Sequence, residues 1–198
     1  SIDAAFPALI DAPPIEGGVA NFQAVDRDGR LTAITLSGEW EFFYNRHIVT
    51  DNDTGAPDGL MTLPGKWTGK TFGGKKLPRS GYASYRATVK HIKAGEIVTC
   101  FADNSTVALR IFVNGKLCST SGRVGKTAAG SVSGPAERVD FCIADGGDIT
   151  VVIETGYTRA GGLTHAPCLS PAMRPGAYWI FLERMTVIAF GLTLGLFL

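Results

Sequence analysis

Ala108-Leu109-Arg110-Ile111-Phe112-Val113-Asn114-Gly115-Lys116 is the stretch that decides the fold class. Up to Val113 apolar residues alternate in part with others, as on a strand with one face against a core. Asn114-Gly115 then supplies the two adjacent positive-φ residues that a type I′ hairpin turn requires. The stretch therefore reads as a strand, a tight turn and the start of a returning strand, which commits the chain to antiparallel sheet.

On both sides of this hairpin short segments rich in β-branched and aromatic residues recur, each closed by glycine, asparagine, aspartate or proline. Strands are predicted at 31–36, 38–44, 61–63, 82–90, 96–102, 108–113, 116–119, 138–143, 149–154 and 178–183. Residues 1–30, with Pro7, Pro13, Pro14, Gly17 and Gly18, read as an extended lead-in. Two stretches, 50–60 and 119–135, are too polar and glycine-rich for strands and are expected to be loops. No internal repeat occurs, and no convincing long helix precedes Met185. A length of 198 residues suits one domain, and so many short strands predict two packed sheets, an all-β sandwich over 31–184.

Composition narrows the function. With 45% hydrophobic residues and a formal charge of +1 the chain is not disordered, and it offers no field to attract nucleic acid or a polyanion. Cys100, Cys118, Cys142 and Cys168 have none of the close pairing of a zinc knuckle or a redox motif; they suit two disulfides or four buried thiols, and three pairings are open. After Arg184, residues 185–198 carry no charge. As a helix they would reach only about 21 Å, short of the ~30 Å hydrocarbon core, yet they lack the polar stripe of a core helix. The expectation is the first part of a membrane span, with Gly191 and Gly195 at the spacing of close helix contacts. No leader is visible at Ser1, so an exported protein would have lost its own.

Catalytic motifs fail on inspection. Gly122-Arg123-Val124-Gly125-Lys126-Thr127 ends like a phosphate-binding loop, but Thr120 stands where its first glycine belongs and no helix follows. Asp51-Asn52-Asp53-Thr54-Gly55 opens like a calcium loop, but Ala56 and Thr62 occupy the positions of the required glycine and glutamate. His47, His91 and His165 lie in different segments, and only His165 with Cys168 has ligand-like spacing. Gly130-Ser131-Val132-Ser133-Gly134 puts valine at the nucleophile position. No enzyme, metal or cofactor is predicted for this region.

An ordered set of motifs carries a resemblance: Leu36-Ser37-Gly38-Glu39-Trp40-Glu41-Phe42-Phe43-Tyr44, Leu63-Pro64-Gly65-Lys66-Trp67, Gly81-Tyr82-Ala83-Ser84-Tyr85-Arg86, and Ile111-Phe112-Val113-Asn114-Gly115 followed by Gly122. Together they resemble the extracellular domain of bacterial seven-transmembrane receptors with diverse intracellular signalling modules. The resemblance covers 31–198 and implies a galactose-binding-type jelly roll, related to the sugar-binding domain that opens family 2 glycoside hydrolases. It implies a periplasmic or extracellular domain running into the first of seven membrane helices at 185–198. A cyclase, diguanylate cyclase, histidine kinase or phosphatase would be the output module, and the ligand would be a carbohydrate or related small molecule.

Individual residues sort by context. Trp40, Phe42 and Tyr44 alternate along one strand and are expected in the core, while Arg86 is expected to pair with an acid. Sugars are held by aromatic faces and forked polar side chains, so Trp67, Tyr82, Arg110 and Arg123 are the candidate ligand contacts. Trp67 follows a Pro-Gly turn and Arg123 lies in a glycine-rich loop, where exposure is expected. Two rival expectations stand beside the receptor: an accessory carbohydrate-binding domain of a glycoside hydrolase, and a domain that mediates homodimerisation or protein contact without a small ligand.

Overall fold

The computed structural model describes residues 9–10, 12–21, 33–92, 94–102, 106–140, 142–144 and 147–171. The strand expected at 178–183 and the apolar segment at 185–198 lie outside the described residues.

Two sheets face each other. The larger is built from β2 (Val19–Ala20), β4 (Gly38–Tyr44), β5 (Gly59–Leu63), β9 (Gly81–Ile92), β11 (Leu109–Val113), β12 (Lys116–Arg123), β13 (Val132–Arg138) and β15 (Gly147–Thr158). Its order is β13-β12-β11-β15-β9-β4-β5, antiparallel throughout, with β2 added in parallel to β9. The smaller sheet has the order β1-β3-β17-β10-β14, from β1 (Leu9–Ile10), β3 (Ala33–Thr35), β10 (Ile97–Phe101), β14 (Cys142–Ile143) and β17 (Cys168–Pro171). Short pairs join β6 (Gly65–Lys66) to β16 (Gly162–Leu163) and β7 (Thr71–Phe72) to β8 (Lys75–Lys76). Among the described residues no helix is long and apolar enough to cross a membrane.

The period-2 pattern places the core. Trp40 and Phe42 of β4, Ala83, Tyr85, Ala87 and Val89 of β9, Leu109, Ile111 and Val113 of β11, and Val151 and Ile153 of β15 all point inward and are buried. Ile34, Val98, Cys100 and Leu169 meet them from the smaller sheet. Cys118 of β12 and Cys142 of β14 form a disulfide that clips the two sheets together. Phe101 lies opposite Cys168 and Cys100 opposite Leu169, so Cys100 and Cys168 fall on opposite faces of the smaller sheet and remain free thiols. On its outer face Ile97, Phe101 and Ile143 stay exposed.

The hairpin expected at Asn114-Gly115 forms, with φ of 50° and 77°. Asn114 adds a turn bond, its Oδ1 accepting Thr150 N at 2.8 Å. Arg86 pairs with Glu41, as expected. The polar stretch at 119–135 corrects its expectation: Ser119–Arg123 extends β12 and Val132 opens β13. That hairpin lies at the sheet edge, where strands need little apolar alternation. The described part of the lead-in, residues 9–10 and 12–21, enters both sheets through β1 and β2 and buries Ile15 and Ala20 in the core.

Candidate ligand-binding site

Because the large sheet is antiparallel, β4, β12 and β15 end where β5, β9, β11 and β13 begin. Segments 45–58, 77–80, 124–131 and 159–161 therefore gather at one end of the sandwich. Loops displayed by a rigid scaffold are where binding residues concentrate.

Four residues of that end line an opening of about 370 Å³: Arg79, Ser80, Tyr157 and Arg159. It is a shallow depression, open to solvent over much of its surface. The pairing of Thr158 with Gly81 sets the two walls side by side. Arg79 Nε donates to the Arg159 carbonyl at 2.9 Å. From below, Tyr44 Oη donates to Ser80 O at 2.7 Å, and Trp67 Nε1 donates to Pro78 O at 3.1 Å. Tyr157 N donates to Gly125 O at 2.8 Å, which leans the 124–131 loop on the same wall. Burial raises the Tyr44 phenol above its ordinary pKa, Tyr157 adds to the shift and the bond with Asn45 opposes it. Arg46, Arg86 and Arg110 each have a carboxylate partner, whereas neither Arg79 nor Arg159 has one among the described residues. Two forked donors, two hydroxyls and one aromatic ring are the equipment for holding a polar small molecule.

The residues expected to contact ligand are not brought together here. Trp67 is the clear correction: its indole is fully buried, packed 5.8 Å from the Phe42 ring and 6.0 Å from Tyr44. Lys66, after the Pro-Gly turn, faces outward, and the alternation along the chain turns the following Trp67 into the core. Arg110 and Tyr82 sit on the outer face of the large sheet. Arg110 Nε meets Glu154 Oε2 at 2.9 Å, and the Tyr82 ring lies 4.8 Å from the His47 ring, edge to face. Arg123 is exposed, as expected, but its Nη2 only reaches the Ala129 carbonyl at 3.4 Å.

That outer face carries a second, smaller core of Phe43, Ile48, Phe112 and Val152, covered by the loop after β4. Glu154 fastens the loop. Its Oε1 accepts Val49 N at 2.8 Å and Thr50 N at 3.0 Å, and its Oε2 accepts Thr50 Oγ1 at 3.0 Å. His47 Nε2 donates to the Thr155 carbonyl at 2.9 Å, which fixes the tautomer because a carbonyl only accepts. Burial lowers the His47 pKa, against smaller opposing contributions from that carbonyl and Glu154. Lys126 ties the 124–131 loop to Asp51 at 2.8 Å and holds that carboxyl below its usual range.

Arg79 and Arg159 escaped the sequence reading because nothing short-range joins them. The available signal was arginine beside turn glycines at the ends of two strands, in Arg79-Ser80-Gly81 and Arg159-Ala160-Gly161, and only the strand pairing makes them neighbours.

No family model matches the chain, and no curated protein matches its sequence. Solved structures do resemble it in shape. A GH2 β-galacturonidase from Eisenbergiella tayi shares 15% identity, with 71% of this chain and 24% of that one covered and a TM-score of 0.45. A Ruminococcus gnavus β-glucuronidase shares 14% identity over 71% of this chain and 29% of its own, at a TM-score of 0.50. A Faecalibacterium prausnitzii β-glucuronidase shares 12% identity over 72% of this chain and 31% of its own, also at 0.50. The chain thus spans less than a third of these enzymes, and what it shares with the two glucuronidases is the fold, an all-β sandwich.

Proposed function

We propose that this chain is a non-catalytic ligand-binding domain, the extracytoplasmic input domain of a membrane signalling receptor, with a carbohydrate or related small molecule as its ligand. The observation that carries the reading is the opening between Arg79, Ser80, Tyr157 and Arg159 at the loop end of a rigid sandwich. The Cys118–Cys142 disulfide supports an oxidising compartment, and the uncharged stretch at 185–198 supports attachment to a membrane. A signal would pass only as far as ligand binds one arrangement of the domain better than another.

Ligand-observed NMR tests the binding part, using the full chain in a neutral detergent without a sugar headgroup and a panel of mono- and disaccharides. Saturation transfer to at least one sugar, lost on substitution of Arg159, is expected; silence across the panel from a folded protein sinks it. Protease added to intact spheroplasts expressing the chain behind a cleavable export leader tests the location: a membrane-held domain that the protease digests is expected, and release of a soluble domain overturns it.

A second reading, an accessory domain of a glycoside hydrolase, is favoured by the sandwich it has in common with the two β-glucuronidases. It predicts that the spheroplast fraction holds no membrane-bound form. A third, a protein-contact domain, is favoured by exposed Ile97, Phe101 and Ile143 on the smaller sheet, and predicts no sugar binding at all.

A further inference from the structure

We infer that the opening at the loop end is a subsite for the anionic group of an acidic sugar; this rests on the ligand-binding reading above. Arg79 and Arg159 bring two permanent positive charges to one wall. Arg46, Arg86 and Arg110 are each neutralised by Asp53, Glu41 and Glu154 respectively, whereas the two arginines of the opening have no acid partner among the described residues. Both side chains are exposed, so an anion that enters the opening meets two positive charges that no described acid already occupies.

The geometry fits such a group. Arg79 spends its Nε on the Arg159 carbonyl, which leaves its two terminal nitrogens as a fork. That same bond brings the Arg159 backbone to Arg79, and the Arg159 side chain lines the same opening. Paired N–H groups match a carboxylate or phosphate edge to edge. Beside them the Ser80 hydroxyl and the Tyr157 ring and hydroxyl offer contacts for the hydroxyls and C–H face of a sugar ring. Tyr44 holds Ser80 and the 124–131 loop holds Tyr157 from behind, so the wall is fixed before any ligand arrives.

Calorimetric titration of the full chain, in the same sugar-free neutral detergent, with glucose, glucuronate and glucose 6-phosphate tests the inference. At least one acid should bind ten-fold or more tightly than glucose, weakening as NaCl rises. Arg79→Gln and Arg159→Gln should each weaken the acid by ten-fold or more and glucose by a clearly smaller factor. Lys90→Gln, at the far end of β9, should change neither. The acid that wins identifies a carboxylate or a phosphate as the bound group. Glucose binding as tightly as both acids, or arginine variants that bind the acids normally, overturns the anion subsite while leaving the ligand-binding reading in place. Silence of every arm, with an intact thermal transition, overturns both.

Discussion

Glu154, a carboxylate with no exposed surface, meets Arg110 Nε at 2.9 Å, and the pair clamps the loop after β4 onto the outer face of the large sheet. Every oxygen of Glu154 is engaged, by Arg110, by two backbone N–H groups and by the Thr50 hydroxyl. Glu154→Ala would strand those donors and the Arg110 charge together, and loss of one partner of a buried pair costs about 3–5 kcal/mol. The expected outcome is a Tm lower by roughly 6–20 °C at this chain length. Arg110→Met, which leaves Glu154 three partners, should lower it by less; differential scanning calorimetry of both variants checks the order.

His47 and the loop aspartates should give two separate pH windows. The fold lowers the His47 pKa, so below about pH 6.5 the unfolded chain takes up a proton that the folded chain refuses. Stability from this group is therefore present above that pH and falls as pH drops, until the lowered folded pKa is passed. Asp51 and Asp53 are lowered as well, Asp53 to about 2 by the Arg46 guanidinium, so their contribution survives to lower pH and is lost below the ordinary carboxylate range. Melting curves at stepped pH should show both declines, and His47→Gln should remove the upper one alone.

The inter-sheet disulfide closes a loop with a sequence separation of 24 residues, for which a chain-entropy estimate is about 3 kcal/mol. Reduction, or Cys118→Ala with Cys142→Ala, should lower Tm accordingly. Mass spectrometry after alkylation should find Cys118 and Cys142 protected and Cys100 and Cys168 modified once the protein is unfolded. In the folded protein Cys168 should react slowly, since burial pushes its thiol up to about 11, and fully buried Cys100 more slowly still.

Trp67 should behave as a packing residue. Trp67→Ala removes a buried indole and its bond to Pro78, and large-to-small core changes of this kind cost about 3–5 kcal/mol. Chemical denaturation should register the loss as a lower midpoint with little change in slope.

The sheet architecture was legible because it is written at short range. β4 was bounded from sequence at both ends, since Trp40, Glu41 and Phe42 alternate between turn residues. The Asn114-Gly115 hairpin was equally clear. β9 and β15 were found but run longer than expected, to 12 residues each, because their partners extend pairing past the apolar stretch. β13 was missed for a related reason, as Ser133, Gly134 and Pro135 have no intrinsic strand preference and sit at a register irregularity, with Val132 and residues 136–138 pairing β12 on either side. The binding end was the least legible part. Trp67 looked exposed because a turn precedes it, while Arg79 and Arg159, 80 positions apart, become neighbours only through the pairing of β9 with β15.

The bond from the Trp67 indole to the Pro78 carbonyl places a natural chromophore one residue from Arg79. Tryptophan emission responds to the field around the indole, so an anion drawn to Arg79 would shift the colour or yield of Trp67 without any attached dye. Trp40, whose indole instead bonds the Leu36 carbonyl at 3.1 Å, would stay dark to the event. Were an anion to occupy the proposed subsite, this contact would make the buried Trp67 its reporter.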